Sequence, residues 1–103
     1  MYSSQQKLSS PEVAELRREA GLYLKDLREK RGLSQRQMAE KVGGNYYTFI
    51  SQLESGRGRI PPDRYLIWAD VLGVEPEVFV KNLLRYYDPV TYSILFGQNA
   101  SAR

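Results

Sequence analysis

Between Gly32 and Gly56 the chain carries two helix starts and two helix stops, a pattern that leaves room for little but two short helices joined by a tight turn. Ser34 is placed to cap the first helix, and Gln37, three residues on, can return the hydrogen bond as a capping box requires. Leu33 before the cap and Met38 at the fourth helical position can close a hydrophobic staple. Ala39 and Val42 continue the apolar face, and Gly43-Gly44 stop the helix. Asn45 can cap a second helix, in which Ile50 and Leu53 lie three apart on one face, and Gly56 fits the left-handed position that ends helices. The opposite face carries Tyr47, Thr48, Ser51, Gln52 and Ser55. All of these can hydrogen-bond, and none is a long charged side chain of the ordinary solvated kind.

The flanking chain reads as further helices. Ser10-Pro11 is a start signal, with Val13, Leu16, Ala20, Leu24 and Leu27 recurring at helical spacing up to Arg31. Gly21 is expected to divide this stretch into a short leading helix and a second one. Pro61-Pro62-Asp63 opens a helix expected to bury Leu66, Ala69 and Leu72 and to end at Gly73. Glu75-Pro76 opens another, with Val78, Phe79, Leu83 and Tyr86 inward. Asp88-Pro89 starts a last short helix whose apolar residues are Tyr92, Leu95 and Phe96. No strand pattern or hairpin signal competes. The expected fold is all-α, a bundle of five to six helices. The expected division is a polar N-terminal tail over 1–10, a helical domain over 11–87, and a C-terminal helix and tail over 88–103.

Several function classes are hard to build here. Histidine and cysteine are absent, which removes the commonest general base, the commonest metal ligands and any disulfide framework. No glycine-rich phosphate cradle occurs; Gly56-Arg57-Gly58-Arg59 is too short and too basic for one. An enzyme is not expected, nor a metal, a cofactor or a small-molecule ligand. No apolar run approaches the roughly 20 residues of a membrane span, and Met1 to Lys7 lacks the apolar core of a signal peptide. A reducing cytoplasm suits such a chain.

The ordered series Arg28, Gly32-Leu33-Ser34-Gln35, Ala39, Val42-Gly43 and Ile50-Ser51-Gln52-Leu53-Glu54-Ser55-Gly56 resembles the phage repressor and Cro type of helix-turn-helix, the bacterial family also called XRE. Pro61 and the run Trp68 to Val74 resemble the family's fourth helix and the turn after it. The likeness extends from about Gly21 to Leu84. In one respect the chain departs from the pattern: counted from Ala39, Ile50 arrives one residue late. The extra residue is placed in the turn between Gly43 and Tyr46.

The resemblance implies a transcriptional regulator, a repressor in the first instance, that reads double-stranded DNA in the major groove. Tyr47 and Thr48 match positions where family members touch bases, and Gln52, one turn later, is the third. A glutamine can pair bidentately with adenine N6 and N7. Tyr47 is either in the groove or packed at the helix start, and Ser51 reaches either a base edge or a phosphate. The matching Gln35 anchors the DNA backbone, at a helix N-terminus whose free N–H groups favour an anion, unless it is a plain surface residue. Arg57 and Arg59 on the glycine-rich loop are candidate phosphate or minor-groove contacts, and Arg36, Tyr46 and Ser55 are further candidate contacts to the DNA backbone. Arg28 and Glu54 match an ion pair that holds the first helix against the third, and are architecture rather than DNA contacts.

Charge distribution agrees with a DNA-facing half. Residues 1–60 carry 11 Lys or Arg against 7 Asp or Glu, a net of +4; residues 61–103 carry 4 against 5, a net of −1. One motif spans only a few base pairs, so specific reading calls for a two-fold homodimer. The aromatic-rich end with Tyr86, Tyr87, Tyr92, Leu95 and Phe96 is the candidate interface, or else it completes the protomer's own core. Two other functions fit the same fold: an antitoxin paired with a toxin, and a protein-interaction adaptor whose helix-turn-helix does not read DNA.

Overall fold

Ser34 and Gln37 form the reciprocal cap that their spacing predicts. The Gln37 backbone N–H donates to Ser34 Oγ at 3.0 Å and the Ser34 N–H donates to Gln37 Oε1 at 2.8 Å. In the computed structural model, which describes residues 10–43 and 47–102, this cap opens the second of six α-helices. The helices are α1 (Ser10–Lys30), α2 (Gln35–Val42), α3 (Tyr47–Glu54), α4 (Tyr65–Leu72), α5 (Pro76–Tyr87) and α6 (Pro89–Ala102), with a single 3₁₀ turn, Pro62–Arg64, leading into α4. No strand occurs among the described residues. The fold is all-α.

Helix α1 runs without a break through Gly21, contrary to the expected division. The glycine is there because α3 ends against it. A Cβ on residue 21 would stand 2.6 Å from the Glu54 carbonyl carbon and 2.7 Å from the Leu53 oxygen. No side chain fits in that gap. Gly56 makes a similar approach from the other side: at φ +92°, a Cβ there would lie 3.0 Å from the backbone of Arg18. Only glycine takes that backbone conformation cheaply.

The core gathers Leu24 from α1, Met38 and Val42 from α2, Ile50 and Leu53 from α3, Ile60 from the loop, Trp68 and Leu72 from α4, and Phe79 and Leu83 from α5. Helix α1 packs on α3 and α5, α2 on α3 and α4, and α6 on α5. Two expected core residues are instead outside: Leu66 is 70% exposed and Val78 50%. Each helix is rotated by the demands of its neighbours. In α4 the buried stripe is centred on Trp68, Ala69 and Leu72, and Leu66 lies more than a quarter-turn away from it. In α5 the stripe is Phe79, Leu83 and Tyr87, which turns Val78 outward.

Tyr87 is likewise a correction to the expected interface. It is buried in the protomer's own core, where its hydroxyl accepts the Ile60 N–H at 3.2 Å. Burial pushes its phenol pKa up. The last helix is longer than expected, and its regular geometry is interrupted at Gly97, where φ is +64°.

Candidate nucleic-acid interface

Helix α3 is short enough that its orientation depends on what holds it. Ile50 and Leu53 bury one face, and Glu54 anchors the end. Arg28 reaches from α1 to grip the Glu54 carboxylate bidentately with one edge of its guanidinium, Nε to Oε2 at 2.6 Å and Nη2 to Oε1 at 2.9 Å. The third nitrogen, Nη1, donates to the Leu33 carbonyl at 2.6 Å, which fixes the turn from α1 to α2. Gln35 Nε2 adds a further bond to Glu54 Oε1 at 3.0 Å. Both charged side chains are below a tenth exposed. The hydrogen bond to Glu54 holds the Arg28 pKa above its ordinary value. The structure thus brings Arg28, Glu54 and Gln35 into one network that ties α1, α2 and α3 together.

This anchoring turns the other face of α3 to solvent. Tyr47, Thr48, Ser51, Gln52 and Ser55 are all exposed, and no acidic side chain stands among them, because Glu54 is buried and neutralised. Such a face offers donors and acceptors without repelling a polyanion. Ser55 Oγ donates to the Gln52 carbonyl at 3.0 Å, and the Arg57 N–H donates to the same oxygen at 2.8 Å, closing the helix end. The side chains of Thr48, Ser51 and Gln52 are in no hydrogen bond among the described residues.

Basic groups border this face. Arg36, in the first turn of α2, places its guanidinium 4.4 Å from the centre of the Tyr47 ring. Tyr47 is therefore neither free nor packed in the core: it is 43% exposed beneath a cation. Arg57 projects from the loop and is exposed. Arg59 is more constrained. Its guanidinium lies 4.6 Å from the Tyr87 ring centre, Arg17 lies 5.5 Å from the same ring, and Arg17 Nη1 donates to the Gly58 carbonyl at 3.3 Å. Two cations on one buried ring pin the loop that follows α3. Tyr46 and Asn45, with the extra turn residue, lie outside the described residues.

Two features escaped sequence reasoning. One is the Arg17–Tyr87–Arg59 assembly, whose members are far apart along the chain. The other is Arg64, which donates to the Val42 carbonyl, and to that of Gly43 at 3.5 Å, so that a cation sits on the C-terminal end of α2. Neither has a local signal; both depend on how the helices pack.

The C-terminal aromatics are split. Tyr86 is half-buried beside Tyr23, with ring centres 6.3 Å apart. Tyr92 is half-buried, and its hydroxyl accepts from Arg85 at 3.0 Å. Phe96 packs 5.1 Å from Tyr92 and under Lys81. Leu95 and its neighbour Ile94 face solvent, 62% and 68% exposed. A groove between α5 and α6 is lined by Val78, Val80, Leu84, Leu95 and Phe96.

An all-helical scaffold that locks one short helix and exposes its polar, uncharged face beside arginines defines a DNA-binding helix-turn-helix. The family model for a helix-turn-helix matches residues 24–79, just over half the chain, and the protein belongs to that family, in its phage repressor and Cro form. It is a regulator of the DNA-binding kind. No curated protein matches the chain. No helix among the described residues is long and apolar enough to cross a membrane.

Proposed function

We propose that the protein is a sequence-specific transcriptional repressor that reads the major groove with α3 and acts as a homodimer in a bacterial or phage-infected cell. The observation that carries this reading is the Arg28–Glu54–Gln35 network, because it fixes α3 with its only uncharged polar face outward. Base edges are read by Tyr47, Thr48, Ser51 and Gln52, with Gln52 pairing to adenine. Gln35, Ser55, Arg57 and Arg59 hold the backbone. Gln35 keeps its amide oxygen for a bridging or direct contact while one N–H is spent on Glu54.

Dimerisation is assigned to the α5–α6 end. Helix α6 carries no charged residue along its length, and Val78, Ile94 and Leu95 expose apolar surface there. A second copy related by a two-fold axis would cover that surface and present a second α3.

A mobility-shift assay on genomic fragments at two salt concentrations tests this reading, with Gln52→Ala alongside. Specific fragments are expected to be retained at the higher salt. Gln52→Ala is expected to cost about 1–3 kcal/mol on them and to relax preference at one base pair per half-site. Equal weakening on random DNA would remove Gln52 from the readers.

A further inference from the structure

Arg36 stands in the first turn of α2, where the helix dipole disfavours a cation; that turn holds no acidic side chain, and Glu40, one turn on, makes no ion pair with it. Its charge does not favour the helix that carries it. Its guanidinium lies instead over the ring of Tyr47, the first residue of α3, 4.4 Å from the ring centre. A guanidinium held over a ring face spends none of its N–H donors on that contact. None of those donors has an acceptor among the described residues. Tyr47 belongs to the N-terminal turn of the helix proposed to enter the groove, the part of such a helix that meets base edges.

We infer that Arg36 is a specificity-determining residue: held over the Tyr47 ring, its guanidinium presents its unspent N–H fork to a guanine. The guanine major-groove edge offers O6 and N7, two acceptors in one plane, which a guanidinium fork matches. Beside the base contact proposed for its own hydroxyl, the Tyr47 ring then serves as the surface that holds the fork. Holding Arg36 on a ring lowers the rotamer freedom lost on binding, since the fork is set before DNA arrives. A phosphate also accepts two parallel N–H bonds from a guanidinium, so the fork alone does not choose between them; its place beside the N-terminal turn of α3, the turn that meets base edges, favours the guanine. The inference rests on the proposed base reading and adds a guanine to the adenine assigned to Gln52.

Selection from a random-sequence duplex library distinguishes the outcomes. The probes are the intact chain and the variants Arg36→Ala, Arg36→Lys, Tyr47→Phe and Tyr47→Leu, all at exposed positions. The intact chain is expected to select a site containing one G·C pair per half-site whose preference, about tenfold or more, disappears in both Arg36→Ala and Arg36→Lys. Preferences at the other pairs remain. Tyr47→Phe keeps the guanine preference because the ring remains, and Tyr47→Leu weakens it. Replacing that guanine by 7-deazaguanine lowers binding of the intact chain and leaves Arg36→Ala unaffected. If Arg36→Lys selects the same site as the intact chain, and Arg36→Ala weakens all sequences alike with a smaller salt slope, Arg36 is a phosphate contact and the inference is overturned while base reading stands. If the intact chain selects no sequence, base reading itself fails and the inference falls with it.

Discussion

Gly21 of α1 and Glu54 of α3 meet backbone to backbone, with no room for even a methyl group between them. The close approach sets the depth at which α3 seats and brings Glu54 to Arg28. Gly21→Ala tests it. Alanine favours a helix interior over glycine by up to about 1 kcal/mol, so an open site would gain stability. Here the added Cβ meets backbone, which cannot swing aside, and overpacking of this kind costs about 1–3 kcal/mol. Urea denaturation is expected to show a net loss. A gain would mean that α3 does not seat against α1 as described.

A second expectation concerns the ion pair itself. Glu54→Gln keeps the shape of the side chain but leaves the buried Arg28 guanidinium without its charge partner. Breaking a buried pair in this way costs about 3–5 kcal/mol. Replacing both residues by apolar ones of similar volume is expected to cost much less, because neither charge is then left stranded. Comparing the single and double variants by denaturation separates the penalty of an orphaned charge from the net value of the pair.

How much of this was legible in the sequence depends on how local each signal is. The Ser34–Gln37 cap, the Ile50 and Leu53 face of α3 and the stop at Gly56 are decided within a turn or two, and each appears where the spacing placed it. Gly21 reads as a break because a glycine inside a helical pattern looks like one until the neighbouring backbone is known. Leu66 and Val78 read as core for a related reason. Apolar character alone does not settle a helix's phase when nearly every position of α4 is apolar, and packing chose Trp68 over Leu66. Tyr87 reads as an interface residue because aromatics cluster from Tyr86 to Phe96. Its partners, Ile60, Arg17 and Arg59, become visible only once α1, the loop and α5 are assembled.

That assembly separates the two loop arginines. Arg57→Ala is expected to lower DNA affinity alike on all sequences and to shrink the salt slope by about one unit, with no change in stability, since the side chain is exposed. Arg59→Ala removes a cation from the Tyr87 ring as well. It is expected to lose about 0.5–2 kcal/mol of stability in addition to affinity. Denaturation midpoints beside salt titrations check both. An unchanged salt slope for Arg57→Ala would take it out of the phosphate contacts, and unchanged stability for Arg59→Ala would leave its stacking without energetic weight.

The dimer is the widest-reaching expectation. If two copies meet through α6, Ile94 and Leu95 are exposed in one protomer only because they await the other. Ile94→Asp and Leu95→Asp place a charge on solvent-facing positions, so each protomer is expected to keep its fold and stability. Sedimentation at micromolar concentration is expected to find the intact chain dimeric and both variants monomeric. The two recognition helices of the dimer would lie about 34 Å apart, one turn of DNA. Losing that pairing makes each half-site bind separately, so specific affinity is expected to fall about a hundredfold or more while non-specific binding per protomer is kept. Tyr92 and Phe96 are half-buried and hold α6 against α5 through Arg85 and Lys81, so in such a dimer they would support the interface from behind, while Tyr86 packs on Tyr23 of α1. A monomeric intact chain would leave those aromatics to the protomer's own core, and the two-fold arrangement would then have to come from another surface or from the DNA itself.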